Sequence, residues 1–459
     1  MIERLTGSDA LLLHTDVADT PMHTLKTAVL DSAGRGRPIT LDHLADGITG
    51  VIGLIPRLSQ RVRAPRWMPG RPFWVSDPDF DVRNHLDEVI AEPPGDRFAL
   101  DRIHTKLAGR RLSRDRPLWG VTLVNGLEGG RQAVITRVHH AVVDGGGALN
   151  AFMLLTARGP GVEMTGPPGT SVRVTESELR CQALREAPRL LLDLPLLLGD
   201  TVRSRRRTHA FRRQHAELPV VMTAPRNFVT ADHGVSRLCA SADLPLDTIR
   251  RVSKMGGVTV NGVFHALIAA AFRDELLANG DSLAGATAAF GVATDDGNPL
   301  RLSGNLVTPA FVRLDTVESD PLRRLERTAQ SCRDAVELQR LGGGDLTDRW
   351  ATYFCRIVPW SQRRFGRRMP TVPNHITTAN VRGPDHRRWA GHVEITDWIS
   401  YAVVVSPANI NITAYSYDDR FSIGMLVGHG VLDDPYRFLG RMQEELDVLE
   451  SALSAGKAR

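Results

Sequence analysis

Cysteine and aromatic residues are scarce in this sequence and long apolar runs are missing, and each shortage closes off a class of function. The 459 residues include four cysteines, Cys181, Cys239, Cys332 and Cys355, too widely separated for paired zinc-ligand spacing or a disulfide framework. A reducing, cytosolic setting fits them best. Aromatics make up 6% of the chain, and no nucleic-acid-binding motif accompanies its net charge of +5. This argues against DNA or RNA and leaves a phospholipid surface or a nucleotide-bearing co-substrate as the anionic partner. The stretch Met1 to Asp9 lacks the cationic segment and apolar core of a secretory signal, and no later segment is apolar enough to span a bilayer. The expected location is cytoplasmic.

With 42% hydrophobic and 24% charged residues, the composition is that of an ordinary globular protein. A single core usually splits beyond roughly 250–300 residues, so two subdomains are expected. The boundaries are read as 1–160, a linker over 161–217, and 218–459.

One stretch organises the first subdomain. The β-branched run Val134 to Val138 ends in His139 and His140, Asp144 follows four residues after the second histidine, and Gly145, Gly146 and Gly147 lead into the apolar segment 148–155. This reads as a strand delivering a histidine to a cleft. An imidazole titrates near 6.5 when unperturbed, so a positioned histidine can act as general base toward a hydroxyl. A metal site from His139, His140 and Asp144 would require a helical segment, which Val142, Val143 and the glycines oppose. A phosphate loop would require Lys-Ser or Lys-Thr after the glycines, and neither is present. A buried, hydrogen-bonded histidine pair is the plain alternative.

Along the rest of the chain, Thr40 is placed to cap a helix, Leu100 to Ala108 reads as an amphipathic helix, and Trp119 to Val124 reads as a strand that turns through Asn125-Gly126 into the histidine strand. A Gly/Pro/Thr/Ser-rich stretch over about 158–180 reads as linker. The leucine-dense segment 184–202 runs into Arg203, Arg205, Arg206, Arg207, Arg212 and Arg213. It suits either a membrane or lipid-droplet surface met through 184–213, or a helix packed between domains, with Pro195 expected to break it. In the second half Thr259-Val260-Asn261 opens a long apolar helix, strands are expected near 288–293, 306–314 and 403–417, a hairpin through Asp418-Asp419 follows, and a helix begins after Pro435.

The motif His139-His140-Ala141-Val142-Val143-Asp144-Gly145 resembles the HHxxxDG signature of the bacterial wax ester synthase/diacylglycerol acyltransferase family. Pro117-Leu118-Trp119 is similar to that family's Pro-Leu-Trp element, and Leu5 to Leu13 with Pro21-Met22-His23 to its opening. Thr259-Val260-Asn261, Gly304-Asn305, Asn380 to Pro384, Asn411-Ile412-Thr413 and Ser416-Tyr417-Asp418 are similar to its later elements, so the likeness covers nearly the whole chain. Departures are Gly262 where Asp is usual, Gly291-Val292-Ala293 where Pro-Val-Ser is usual, and Arg382 where Pro is usual.

The resemblance implies an α/β (α+β) fold of two chloramphenicol-acetyltransferase-like subdomains, each a mixed sheet with helices, and an active-site tunnel at their interface. It implies an acyl-CoA-dependent O-acyltransferase that binds no permanent cofactor or metal and takes acyl-CoA as co-substrate. Diacylglycerol or a long-chain (fatty) alcohol would be the acceptor, giving triacylglycerol or wax ester. His140 would be the general base, with His139, Asp144 and Gly145 in support. Pro117, Leu118, Trp119, Asn261 and Asn305 would have structural or substrate-lining roles. Two other readings stay open: a same-fold acyltransferase acting on a hydroxyl or amine of a secondary metabolite, and a non-catalytic lipid-binding relative.

Overall fold

The computed structural model describes residues 2–32, 38–66, 70–162, 164–169, 172–231, 234–294, 297–365 and 369–457. Residues 163, 170 and 171 of the expected linker therefore lie outside the described residues.

Two six-stranded mixed sheets carry the molecule, and the chain passes between them more than once. It enters the first sheet with β1 (His23–Asp31), β2 (Leu86–Ile90), β3 (Trp119–Asn125) and β4 (Gln132–His139). It then builds the second with β5 (Arg237–Pro245), β6 (Thr287–Ala293), β7 (Val307–Arg313) and β8 (Ile376–Val381). Next β9 (Arg388–Ala390) and β10 (Val393–Tyr401) return to the first sheet, before β11 (Ile410–Tyr417) and β12 (Arg420–Gly428) complete the second. The spatial orders are β9-β10-β1-β4-β3-β2 and β7-β6-β8-β11-β12-β5. Strands 388–401 thus belong to the first sheet although they come late in the chain. The strand expected over 403–417 begins only at Ile410, since Pro407 has no N–H to give a ladder.

Side-chain caps start most helices, satisfying backbone N–H groups that the first turn leaves without partners. The helices are α1 (Gly7–Thr15), α2 (Leu41–Val51), α3 (Arg97–Ala108), α4 (Gly145–Leu155), α5 (Glu176–Gln214), α6 (Leu246–Met255), α7 (Val260–Ala278), α8 (Pro321–Gly342), α9 (Leu346–Phe354), α10 (Ile357–Phe365) and α11 (Pro435–Lys457). Thr6, Thr40, Asp96, Asp144, Thr175, Thr259 and Asp320 provide the caps. Helix α7 is apolar nearly all round and forms the centre of the larger core, with the second sheet, α8 and α11 about it. Gly262 lies where α8 crosses it: a Cβ there would stand 2.7 Å from that of Ala329. An Asp at this position would not fit without moving α8.

The sheets meet along β10. Gly424 in β12 permits the contact, because a Cβ would come within 2.1 Å of the Ser400 carbonyl oxygen. A second clasp lies at α3. The Asp101 carboxylate, 1% exposed, accepts from the Ser241 N–H and hydroxyl of β5 and from the hydroxyls of Tyr401 and Tyr436.

Pro195 does not break its helix, contrary to the expectation from sequence. Helix α5 runs through Pro188 and Pro195 because tertiary contacts hold it on both sides of the second proline. Arg349 of α9 bridges Asp193 and Asp200, and the Tyr353 hydroxyl reaches the Leu190 carbonyl.

Candidate active site

Strand β4 ends at His139 because its pairing runs out there: the His139 N–H bonds the Leu118 carbonyl, and the next N–H, that of His140, bonds the Met22 carbonyl at 2.7 Å. His140 is thereby suspended between the starts of β3 and β1. Pro117, Leu118 and Trp119 lie beside it as scaffold. Leu118 is buried, and Trp119 donates its indole N–H to the Leu58 carbonyl and stacks on His85.

The turn that follows is pinned to the second subdomain. Val142 and Val143 bridge to Gly304, and the Asn305 side-chain amide donates to the His140 carbonyl and to Asp9. Asp144 caps α4 by accepting from the Gly147 N–H at 2.8 Å. It also takes Arg301 at 2.9 Å on the same oxygen and the Leu306 N–H at 3.0 Å on the other. Gly145 follows directly, and a Cβ there would meet the Tyr415 hydroxyl at 3.1 Å. His140 therefore sits at the junction of the two sheets, held by groups from both.

The two histidines differ in what surrounds them. His139 is 2% exposed; its Nδ1 accepts from the Ala141 N–H, which fixes the proton on Nε2, 3.9 Å from Asp16. Burial pushes its pKa down to about 3, so it is a neutral packing residue. His140 keeps partial exposure, and its Nδ1 is buried without a hydrogen-bond partner, so Nε2 is the nitrogen a substrate can reach. Burial lowers its pKa, while its own carbonyl and Asp144 work the other way and the Lys26 charge adds to the lowering. The ring is therefore neutral at neutral pH and able to accept a proton.

His139, His140 and Asp144 do not converge: one faces Asp16, one the junction, and the third has both oxygens engaged. Among the described residues no group of three His, Cys, Asp or Glu side chains could hold a metal ion. Asn261 stands apart from His140. It lines a cavity of about 520 Å³ with Phe211, His215 and Gln330, and its carbonyl accepts from His265.

Sequence reasoning missed Lys26, Arg301, Tyr415 and Asp9. A lysine in the middle of the strand-like run 24–30 was the one signal available for any of them.

Residues 5–264 match the wax ester synthase/diacylglycerol acyltransferase catalytic domain and residues 303–450 the C-terminal domain of the same family. A Mycobacterium tuberculosis H37Rv protein provisionally named diacylglycerol O-acyltransferase is 28% identical over 476 residues, covering 99% of this chain and 100% of its own. A second protein of that strain with the same provisional name is 28% identical over 475 residues, covering 99% and 98%. Among solved structures, a wax ester synthase/diacylglycerol acyltransferase from Marinobacter aquaeolei VT8 superposes with a TM-score of 0.70 at 20% identity, over 98% of this chain and 100% of that one. The first condensation domain of a calcium-dependent antibiotic synthetase gives 0.61 at 14% identity, over 99% and 96%.

Proposed function

The chain belongs to the wax ester synthase/diacylglycerol acyltransferase family, and from that membership we propose that it transfers a long-chain acyl group from acyl-CoA to the hydroxyl of diacylglycerol or a long-chain alcohol. The observation that carries the reading is His140 at the sheet junction, neutral and with Nε2 open. In this reading Nε2 takes the acceptor proton as its oxygen attacks the thioester carbonyl carbon. The tetrahedral oxyanion collapses, the C–S bond breaks, and the imidazolium returns the proton to the coenzyme A thiolate. Asp144, clamped by Arg301, holds the turn; it does not touch the reacting atoms.

Product analysis tests this. Purified protein with palmitoyl-CoA should release coenzyme A and form triacylglycerol from dioleoylglycerol or wax ester from hexadecanol. Acylation only of an amine acceptor would overturn the O-acyl assignment, and acyl-CoA binding without turnover would make the chain a lipid-binding relative.

The partner reading extends to a lipid surface reached from the cytoplasm, at the inner membrane or a lipid droplet. Among the described residues no single helix is long and apolar enough to cross a membrane. Yet α5 exposes Leu191, Leu192 and Leu196 to 65–75%, next to exposed Arg203, Arg205 and Arg206. Helix α9 packs on α5, and α10 directly after it exposes Ile357 and Trp360. Apolar side chains beside arginines suit insertion under anionic head groups. Sedimentation with phosphatidylglycerol vesicles should fall markedly for the L191S/L192S/L196S variant; equal binding of wild type and variant would refute the surface.

A further inference from the structure

Strand β1 places one charged side chain on the face that looks toward the second sheet. His23 and Thr27 turn the other way, to the Leu107 carbonyl and to His104 of α3, and strand alternation sends Lys26 inward. Lys26 is 6% exposed. Its ammonium donates to the hydroxyl of Ser400, its cross-strand partner in β10, at 2.6 Å, and to the Tyr415 hydroxyl of β11 at 3.2 Å. It also lies 4.8 Å from the centre of the Tyr415 ring. Tyr415 in turn donates to the Gly145 carbonyl at 3.1 Å. Among the described residues no carboxylate stands within ion-pair distance of this ammonium. A buried cation held only by neutral hydroxyls is costly for folding, so its presence beside the junction calls for another role.

We propose that Lys26 is a positioning residue of the acyl-transfer site: its ammonium braces Tyr415, and through Tyr415 the Gly145 carbonyl, so that β1, the second sheet and the His140 turn are held in one register. The proposal rests on the reading of His140 as general base. Its charge has a second consequence. The groups facing His140 are Asp144 and His139 from its own segment, Lys26 from β1, Asn305 with Arg301 behind Asp144, Asp9 through Asn305, and Tyr415. Asp144 favours the protonated ring and Lys26 opposes it. Lys26 itself is held down to about 7 by burial, with Asp144 opposing, so its charge near His140 is largest on the acid side of neutrality, where the ring would otherwise take up a proton.

The test compares full-length wild type, K26M, K26R, Y415F and H140A with palmitoyl-CoA and the acceptor found by product analysis. K26M should lower kcat roughly 10- to 100-fold with the acyl-CoA KM within about threefold, because misplacement of reacting groups acts on the chemical step. The acid limb of its kcat/KM profile should move to higher pH by roughly half a unit or more, since the ring then protonates more easily. K26R, which keeps the charge, should hold the limb near its wild-type position, and Y415F should lose kcat without moving it. Melting temperature separates this from misfolding: removing an unpaired buried charge leaves K26M at least as stable as wild type. An active K26M with an unmoved acid limb overturns the proposal while leaving the base assignment intact. A destabilised K26M is replaced by Y415F, whose full kcat would equally overturn it. An active H140A removes the base reading and this inference together.

Discussion

Asp144→Ala is the perturbation that most directly probes how the site is built. The carboxylate is 2% exposed and does three things: it caps α4 through the Gly147 N–H, pairs with Arg301, and satisfies the Leu306 N–H. Losing a cap costs about 1 kcal/mol. An unsatisfied buried N–H costs about 1–3 kcal/mol, and the lost pairing with Arg301 adds to this. Arg301 is 12% exposed and keeps its bond to the Gly304 carbonyl, so these contributions overlap instead of adding. The expected loss is about 2–4 kcal/mol, which for a chain of this size is a fall in Tm of about 2–4 °C. Scanning calorimetry of D144A, R301M and D144A/R301M checks it. Because D144A and R301M break the same pair, the double variant should lose clearly less than the sum of the two single losses. A D144A protein within about 1 °C of wild type, or a double variant that loses the full sum, would refute the clamp.

Two further predictions concern buried charge elsewhere. Asp9, bonded to Asn305, has its pKa raised by burial to about 6 from 3.8. Between those values the folded state holds a proton that the unfolded chain has lost, so stability falls as pH rises through the window and the cost is full above it. D9N should therefore raise Tm at pH 7.5, by up to about 3 kcal/mol of stability, and leave it nearly unchanged at pH 4; an equal gain at both would show that ionisation is not the cause. The Arg324–Glu445 pair, 2.6 Å apart with both side chains nearly inaccessible, should lose about 1.5–3 kcal/mol in R324M, since Arg441 still pairs with Glu445 at 3.0 Å, and regain only part of it in R324M/E445L, which also takes the partner from Arg441. Denaturant midpoints for the two variants decide it.

The histidine strand, its hairpin and the caps at Thr40 and Thr259 were legible in the sequence because each is a local pattern. The opening His140 turn was legible for the same reason. Strand β10 was not, since a bulge between Ile395 and Asp397 interrupts its alternation. Nor was the passage of α5 through Pro195, which depends on Arg349 and Tyr353 some 150 residues away along the chain. The partners of His140 follow the same division. Asp144 could be read from spacing, whereas Arg301, Asn305 and Tyr415 reach it across the junction from the other subdomain. Asn305 was noticed only through the family resemblance, and its bond to the His140 carbonyl had no signature at all.

The acyl transfer proposed for this chain turns on His140 as its base. Coenzyme A release by H140A with palmitoyl-CoA and the preferred acceptor, measured beside palmitoyl-CoA binding and Tm, tests it most directly. A general base at this position requires a loss of roughly 10²–10⁴-fold in rate with binding and melting little changed. An H140A protein that binds palmitoyl-CoA and retains more than about a hundredth of the wild-type rate would contradict it.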